Sequence, residues 1–545
     1  MTRDEAKEGA RISLASAITR GADDPPLQLN FPQEYNAARN FIDRHIEEGR
    51  GKKTAYIDDR GSYTYAELAE RVNRAGNMLK ALGVESEQRV MLCLLDGIDL
   101  PALFWGAIKI GAVPVPISTL LKPADYDFML RDSRARVLAV SSDILDRFEA
   151  ILGDQPRLKA VLVAAPEAAR GPRGYQSFAA LCARASGDLE SAATVLDDTA
   201  FWLYTSGSTG KPKAAVHLHG DLVHTAVLYG EKVLGLTGDD VMFSAAKLFF
   251  AYGLGNGMTF PLHAGATAVL MAERPTPEAV MRTLREHRPT IFYGVPTLYA
   301  SILGNATLAG SPGSDRLRLC VSAGEPLPQS VGMRWVERFG VDILDGIGST
   351  EMLHIFISNR PGEIRYGTTG QPVPGYDILL LDENGHGVND GEIGDLWCRG
   401  PSASPAYWNN RAASLHTFVG PWVRTGDKFM RDTHGYYHYV GRADEMLKVG
   451  GIWVSPYEVE SVLMVHPDVL QAAVVGAPDG DGLIKPKAFV VLKNDAQGSP
   501  ELAEQLRLFV KERLAPYKYP RWIEFRTELP MTSTAKLQRY KLRAT

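Results

Sequence analysis

The sequence predicts an α/β protein: a large N-terminal domain of doubly covered sheets with a β-rich subdomain, followed by a small, mobile α+β C-terminal domain. Three observations carry this expectation. Apolar runs of strand length alternate with capped helical segments from about residue 64 to residue 339. Short alternating strands with Gly, Asp and Asn turns take over between Tyr366 and Asp427, and a second, compact alternation of helix and strand follows Gly441.

The elements follow in chain order. Residues 1–34 are polar and contain proline; Asp4, Glu5 and Glu8 interrupt the basic Arg3, Lys7 and Arg11, so the stretch reads as a tail and not as a signal peptide. Thr64-Tyr-Ala-Glu67 is a capping box; Leu68, Val72, Ala75, Leu79 and Leu82 continue at helical spacing until Gly83 stops the helix. Residues 89–95 form an apolar run expected as a buried strand, and the unit repeats with 104–110 helical, 112–116 extended, 123–131 helical and 137–141 extended. Such alternation implies a largely parallel sheet covered on both faces. The stretch 164–194, rich in Ala, Gly and Pro, reads as a surface connection. Strands are expected again at 200–204, 266–270, 290–293 and 319–322, with helices at 277–286 and 329–339 between them. Beyond Gly441 the pattern gives a helix at 456–465, strands at 472–476 and 487–492, a helix at 501–514 and a strand at 522–525. The expected division is therefore a tail over 1–34, a large domain over 35–443 and a small domain over 444–545, with the boundary at Asp444.

Composition narrows the function. With 59 basic and 64 acidic side chains among 545 residues the net charge is −5, and no block of five like charges occurs. Nucleic acid and membrane surfaces are thereby excluded as main partners, leaving small molecules. No apolar stretch approaches the roughly 18 residues a membrane span needs. Cys93, Cys182, Cys320 and Cys398 show neither a CxxC nor a Cys/His ligand spacing, so no disulfide framework or zinc site is expected and a cytoplasmic setting fits. A homo-oligomer is compatible with the sequence, which does not choose an oligomeric state.

The sharpest chemical signal is Tyr204-Thr-Ser-Gly-Ser-Thr-Gly-Lys-Pro-Lys213, directly after an apolar strand. Hydroxyls, glycines and lysines at this density offer backbone N–H groups, side-chain donors and positive charge to a polyanion. The spacing is not that of a Walker loop, because only two residues separate the glycines and Pro212 follows Lys211. The candidate phosphate ligands are Thr205, Ser206, Gly207, Ser208, Thr209, Gly210, Lys211 and Lys213.

This loop resembles the triphosphate-binding signature of the adenylate-forming superfamily, which includes acyl-CoA synthetases, nonribosomal adenylation domains and luciferases. Further motifs of that superfamily occur in order: Ser322-Ala-Gly-Glu-Pro-Leu327, Asp345-Gly-Ile-Gly-Ser-Thr-Glu351, Thr425-Gly-Asp427, Gly441-Arg-Ala-Asp-Glu-Met-Leu-Lys-Val-Gly-Gly451 and Pro530-Met-Thr-Ser-Thr-Ala-Lys-Leu-Gln-Arg539. The resemblance implies ATP, Mg2+ and coenzyme A as cosubstrates and cofactors. It implies that Gly324, Glu325, Pro326, Asp345, Gly346 and Ile347 wall the adenine site. Asp427 would hold the ribose hydroxyls, with Arg442 beside it. Thr350 and Glu351 would meet the α-phosphate, Glu351 also Mg2+. It further implies that Lys536 is the lysine of adenylate formation, Asp444 the hinge of the small domain, and Gly450 and Gly451 the lining of the pantetheine tunnel. Ala535 stands where the family generally has Gly. Lys485, Lys487, Lys518 and Arg521 read either as contacts for CoA phosphates or as a solvated basic face.

Lys247-Leu-Phe-Phe-Ala-Tyr-Gly-Leu-Gly255, together with Met352-Leu-His-Ile-Phe356 and Tyr366-Gly-Thr-Thr-Gly370, closely resembles the benzoate-CoA ligase family. That resemblance implies a short aromatic acid as substrate, in a pocket of Phe250, Ala251, Tyr252, Gly253, Ile347 and His354. His354 reads either as a ring-recognising group or as a hydrogen-bonded core histidine, and Tyr252 as pocket wall or core aromatic. The function expected is an AMP-forming aryl-CoA ligase acting on benzoate or a hydroxy- or aminobenzoate. The alternative is an aryl-adenylating enzyme that loads a carrier-protein phosphopantetheine.

Overall fold

A computed structural model describes residues 18–20, 29–165, 175–205, 211–443, 445–449, 452–480, 483–493, 498–515, 517–531 and 537–543. The capping box forms as the sequence predicts: Thr64 Oγ1 accepts from Glu67 N at 3.2 Å and Glu67 Oε2 accepts from Thr64 N at 2.7 Å. This cap starts the helix Tyr65–Ala81, whose apolar stripe is buried.

Two large sheets organise the N-terminal part. The first is wholly parallel, in the order Val113–Pro116, Arg89–Cys93, Val137–Ser141, Ala160–Ala164, Gln176–Ser177. The second has nine strands and is parallel from Thr54–Asp58 through Thr267–Val269, Val241–Ser244, Ile291–Gly294 and Leu319–Ser322 to Ile343–Gly348. Antiparallel strands finish it at both ends, so the sheet is largely parallel, as expected, with antiparallel edges. The central strands are buried on both faces, as near-continuous apolar runs require. An antiparallel hairpin, Thr199–Thr205 with Lys213–Leu218, stands apart from both sheets in its pairing.

The stretch expected as a surface connection is not all irregular. Ser177 Oγ accepts from Ala180 N at 3.2 Å and caps the helix Phe178–Arg184, with Phe178 buried; residues 166–174 lie outside the described residues. The expected tail also corrects in part: Thr19–Arg20 pairs antiparallel with Asp377–Leu381. That strand belongs to the six-stranded, antiparallel β-rich subdomain, which continues through Ile393–Arg399, Trp422–Arg431 and Tyr437–Arg442.

Past Leu447 a hairpin and a three-stranded sheet form: Val469–Pro478, Ile484–Leu492 and Trp522–Phe525, covered by the helices Pro456–Val465 and Pro500–Lys511. Among the described residues, no hydrophobic cluster joins side chains before residue 440 to side chains after residue 446, so the C-terminal unit has its own core. All four cysteines are free thiols. No helix among the described residues is long and apolar enough to cross a membrane.

Candidate active site

The hairpin carries the phosphate-loop sequence at its tip. Lys213 sits opposite Thr205 across the two strands; 206–210, with the expected ligands Ser206, Gly207, Ser208, Thr209 and Gly210, lie outside the described residues. Lys211 Nζ stands 5.7 Å from the ring centre of Phe128, and Lys213 Nζ stands 4.5 Å from that of Tyr407. The Tyr407 hydroxyl in turn donates to Glu351 Oε1 at 2.6 Å. Burial and the neighbouring Glu351 carboxylate push the Tyr407 hydroxyl well above the usual phenol range, so it stays a donor.

Glu351 follows the Ile343–Gly348 strand in a tight turn. Its carbonyl oxygen accepts from Ser404 N at 2.7 Å, while the Thr350 carbonyl oxygen accepts from Leu353 N at 3.2 Å and from His217 Nε2 at 2.8 Å. Leu353 closes the turn at φ +65°, a left-handed conformation uncommon for a side chain of its size. The turn separates Thr350 and Glu351 from His354, which packs among the aromatic side chains described below. Among the described residues, no group of three His, Cys, Asp or Glu side chains could hold a metal ion unaided. A single carboxylate fits Mg2+ that is bound chiefly through nucleotide phosphates.

Asp345, Gly346 and Ile347 lie on the same strand, with Asp345 in register with Ser322; Gly324, Glu325 and Pro326 follow the Ser322 strand. Gly324 has φ +94° and open space where a Cβ would stand. Asp345 is buried, and its Oδ1 has no hydrogen-bond partner among the described atoms. Burial pushes its carboxyl well above the usual carboxylate range, against hydrogen bonds from the Leu327 and Gly346 backbone. Asp427 and Arg442 face each other across neighbouring strands: Arg442 Nη1 donates to Asp427 Oδ1 at 3.2 Å and to the Thr425 carbonyl at 3.1 Å. Tyr457, from the C-terminal unit, packs edge-on against Tyr439 with centroids 5.4 Å apart.

Of the residues expected in the acid pocket, Tyr252 packs against His354. Phe250 immediately precedes the short helix Ala251–Leu254, which runs into a π-helical turn at Gly255–Thr259. The Tyr252 hydroxyl donates toward the carbonyls of Gly294 and Val321 at 3.2 and 3.1 Å, leaving its ring half-buried. His354 Nε2 stands 3.2 Å from Asn256 Oδ1, and Phe260, Tyr229 and Tyr252 surround the imidazole at 4.5, 5.3 and 5.7 Å. Burial lowers the His354 pKa to about 3, so the ring is neutral. A Cβ on Gly253 would fall 2.5 Å from the Ala246 carbonyl oxygen, which only glycine avoids. Lys247 buttresses this segment: its Nζ donates to the Glu273 carbonyl at 2.8 Å and to the Met271 carbonyl, 4.0 Å from Asp96.

In the C-terminal unit, Asp444, Gly450, Gly451, Ala535 and Lys536 lie outside the described residues. Arg539, three residues beyond Lys536, is bound by Glu460 at 2.7 and 3.2 Å and by Glu445 at 2.6 Å. Of the basic residues considered for CoA, Lys518 pairs with Glu458 at 2.6 Å, Lys487 with Glu524 at 2.9 Å and Lys485 with Asp479 at 3.9 Å, while Arg521 covers the Tyr519 ring. Each of these four cations thus has an acidic or aromatic neighbour of its own.

Sequence reasoning missed His217, Asp221, Tyr407 and Asn256. The spacing of His217 and Asp221, four apart just after the phosphate loop, was the one available signal; Tyr407 and Asn256 gave none.

The AMP-binding enzyme family matches residues 42–408, and the AMP-binding enzyme C-terminal domain matches 458–536. A benzoate–CoA ligase of Thauera aromatica is 57% identical over 530 residues, covering 97% of this chain and 99% of the relative. A 4-hydroxybenzoate–CoA/benzoate–CoA ligase of Rhodopseudomonas palustris is 49% identical over 94% of each chain. The crystal structure of a benzoate CoA ligase from Burkholderia xenovorans LB400 superposes with a TM-score of 0.87 at 52% identity, covering 93% of this chain and 100% of that one. Matched by the family over most of its length, the chain belongs to the AMP-binding enzymes.

Proposed function

We propose that the chain is an AMP-forming aryl-CoA ligase with benzoate as its preferred acid. The observation that carries this reading is the Thr350-to-His354 turn, which joins the hairpin of the phosphate loop to the aromatic cluster around His354 within five residues. A carboxylate beside that cluster is thereby brought toward the α-phosphate of a nucleotide on the other side of the turn.

In the first half-reaction a carboxylate oxygen attacks the α-phosphorus, the bond to the bridging oxygen breaks, and pyrophosphate leaves. Thr205, Lys211, Lys213 and the loop residues 206–210 bind the triphosphate. Glu351 is oriented by Tyr407, and with Thr350 it faces the α-phosphate; Mg2+, when bound with ATP, neutralises phosphate charge there. Asp427 accepts the ribose hydroxyls, Arg442 holds Asp427, and Gly324, Glu325, Pro326, Asp345, Gly346 and Ile347 enclose the base. Lys536 supplies positive charge as negative charge gathers in the transition state, so catalysis is orientation and electrostatics with no protein nucleophile. In the second half-reaction the CoA sulfur attacks the acyl carbon, the bond to AMP breaks, and the thiol proton passes to solvent. We assign the large domain to 35–443 and the small one to 444–545, turning at Asp444 so that Gly450 and Gly451 line the thiol path.

The 57% identity to a benzoate–CoA ligase over nearly the whole chain supports benzoate as the acid. The test is competition among benzoate, the hydroxybenzoates and 2-aminobenzoate, read as relative kcat/KM for AMP release with CoA. The highest value for benzoate is expected, and a preference for an amino- or hydroxybenzoate would overturn the choice of acid.

A further inference from the structure

We infer that His217, held by Asp221, is a positioning residue that fixes the Thr350–Glu351 peptide for adenylate formation; this rests on the roles proposed above for those two residues. His217 lies on the strand Lys213–Leu218 that leaves the phosphate loop, and its side chain is fully buried. Its Nε2 stands 2.8 Å from the Thr350 carbonyl oxygen, which can only accept, so Nε2 carries a hydrogen. Its Nδ1 stands 2.9 Å from Asp221 Oδ2, and the same carboxylate oxygen takes the Leu218 N–H at 3.0 Å. Both ring nitrogens thus face oxygen. Phe201 lies flat against the imidazole, with centroids 5.0 Å and planes 19° apart, and fixes the plane of the ring.

Stability alone does not account for this pair. Burying an imidazole and a carboxylate costs desolvation that an apolar pair of similar volume avoids. An apolar pair cannot take hold of the Thr350 carbonyl. Because the peptide unit is planar, fixing that carbonyl fixes the plane joining Thr350 to Glu351. The next carbonyl is held by Ser404 N and the Glu351 carboxylate by Tyr407, so two successive peptides are secured. The dyad thus links the strand leaving the phosphate loop to the residues that would meet the α-phosphate.

The test separates the half-reactions in the full-length chain: pyrophosphate release from ATP, Mg2+ and benzoate, and benzoyl-CoA formation from synthetic benzoyl-AMP and CoA. His217→Leu is expected to slow the first by about ten- to a hundredfold, the range of one hydrogen bond to a charged group, while the second changes by less than about twofold. Asp221→Asn, which keeps the volume, is expected to slow the first by about three- to tenfold and again to spare the second. His219→Asn serves as comparison: His219 is buried in the adjoining helix and bonds Ala37 N at 3.1 Å, away from the Thr350 turn, and the ratio of half-reactions should stay that of the wild type. Proportionate loss in both half-reactions, or none in the first, for His217→Leu and Asp221→Asn overturns the inference. Should His217→Leu fail to fold, Asp221→Asn decides by the same criterion. A wild type that releases no pyrophosphate with any aromatic acid would instead defeat the proposed function itself.

Discussion

Gly255→Ala puts the proposed acid pocket to a sharp test. A Cβ at this position would stand 2.6 Å from His354 Nε2 and 3.2 Å from Phe260 Cζ. Ordinary contacts between such atoms lie near 3.5–4.0 Å, so the imidazole must withdraw by about 1 Å. Its hydrogen bond to Asn256 and the flanking rings of Tyr229 and Tyr252 oppose that movement. Overpacking of this kind costs about 1–3 kcal/mol, which exceeds or offsets the roughly 1 kcal/mol that alanine gains over glycine in a helical turn. Transmitted to a bound aromatic ring, 1.4 kcal/mol is about tenfold in affinity. The benzoate KM should therefore rise by about tenfold or more, with the ATP KM unchanged within about twofold, in pyrophosphate-release assays that vary one substrate at saturating levels of the other. A folded variant with the wild-type benzoate KM would refute the placement of the ring beside His354.

Four further outcomes are expected. Lys536→Ala should abolish most adenylation while ATP still binds, seen as nucleotide-dependent protection in thermal melts; equal adenylation by variant and wild type would remove the lysine from the mechanism. Tyr407→Phe deletes a 2.6 Å bond to Glu351, and a loss of about 1.5–3 kcal/mol predicts adenylation slowed by roughly ten- to a hundredfold, checked by initial rates at saturating substrates. Asp444→Pro should impair thioester formation more than adenylate formation, measured on the two half-reactions; equal loss would deny the pivot. Burial raises the Asp96 carboxyl from 3.8 to about 6. The folded chain therefore keeps that proton to higher pH than the unfolded chain, and stability falls by about 3 kcal/mol as pH rises from about 4 through 6. Asp96→Asn should gain thermal midpoint relative to wild type across that window, and a constant difference would show that Asp96 does not titrate there.

Much of the scaffold was legible because local signals agreed with packing. The helices Pro456–Val465 and Gln329–Phe339 and the strand Trp522–Phe525 begin and end where the sequence placed them; Ser455 accepts from Glu458 N at 3.1 Å and Pro456 fills the first helical position. The helix Phe178–Arg184 escaped notice because only seven residues follow its serine cap, too few to show a period. The motif residues were legible through their family order, and the partners that Thr350 and Glu351 meet in the fold were not. His217 meets Thr350 across 133 residues, Tyr407 meets Glu351 across 56, and the Leu248 N–H reaches Asp96 across 152. No local pattern encodes such meetings; they arise from how the hairpin, the central sheet and the loops settle against one another. The left-handed turn at Leu353 is equally silent, since glycine or asparagine would have been the residues to announce it.

The most direct measurement incubates the full-length chain with ATP, Mg2+, CoA and benzoate and resolves AMP, ADP, pyrophosphate and the acyl product. Equal amounts of AMP, pyrophosphate and benzoyl-CoA are predicted. ADP in place of AMP, or AMP and adenylate without thioester when CoA is saturating, would contradict an aryl-CoA ligase.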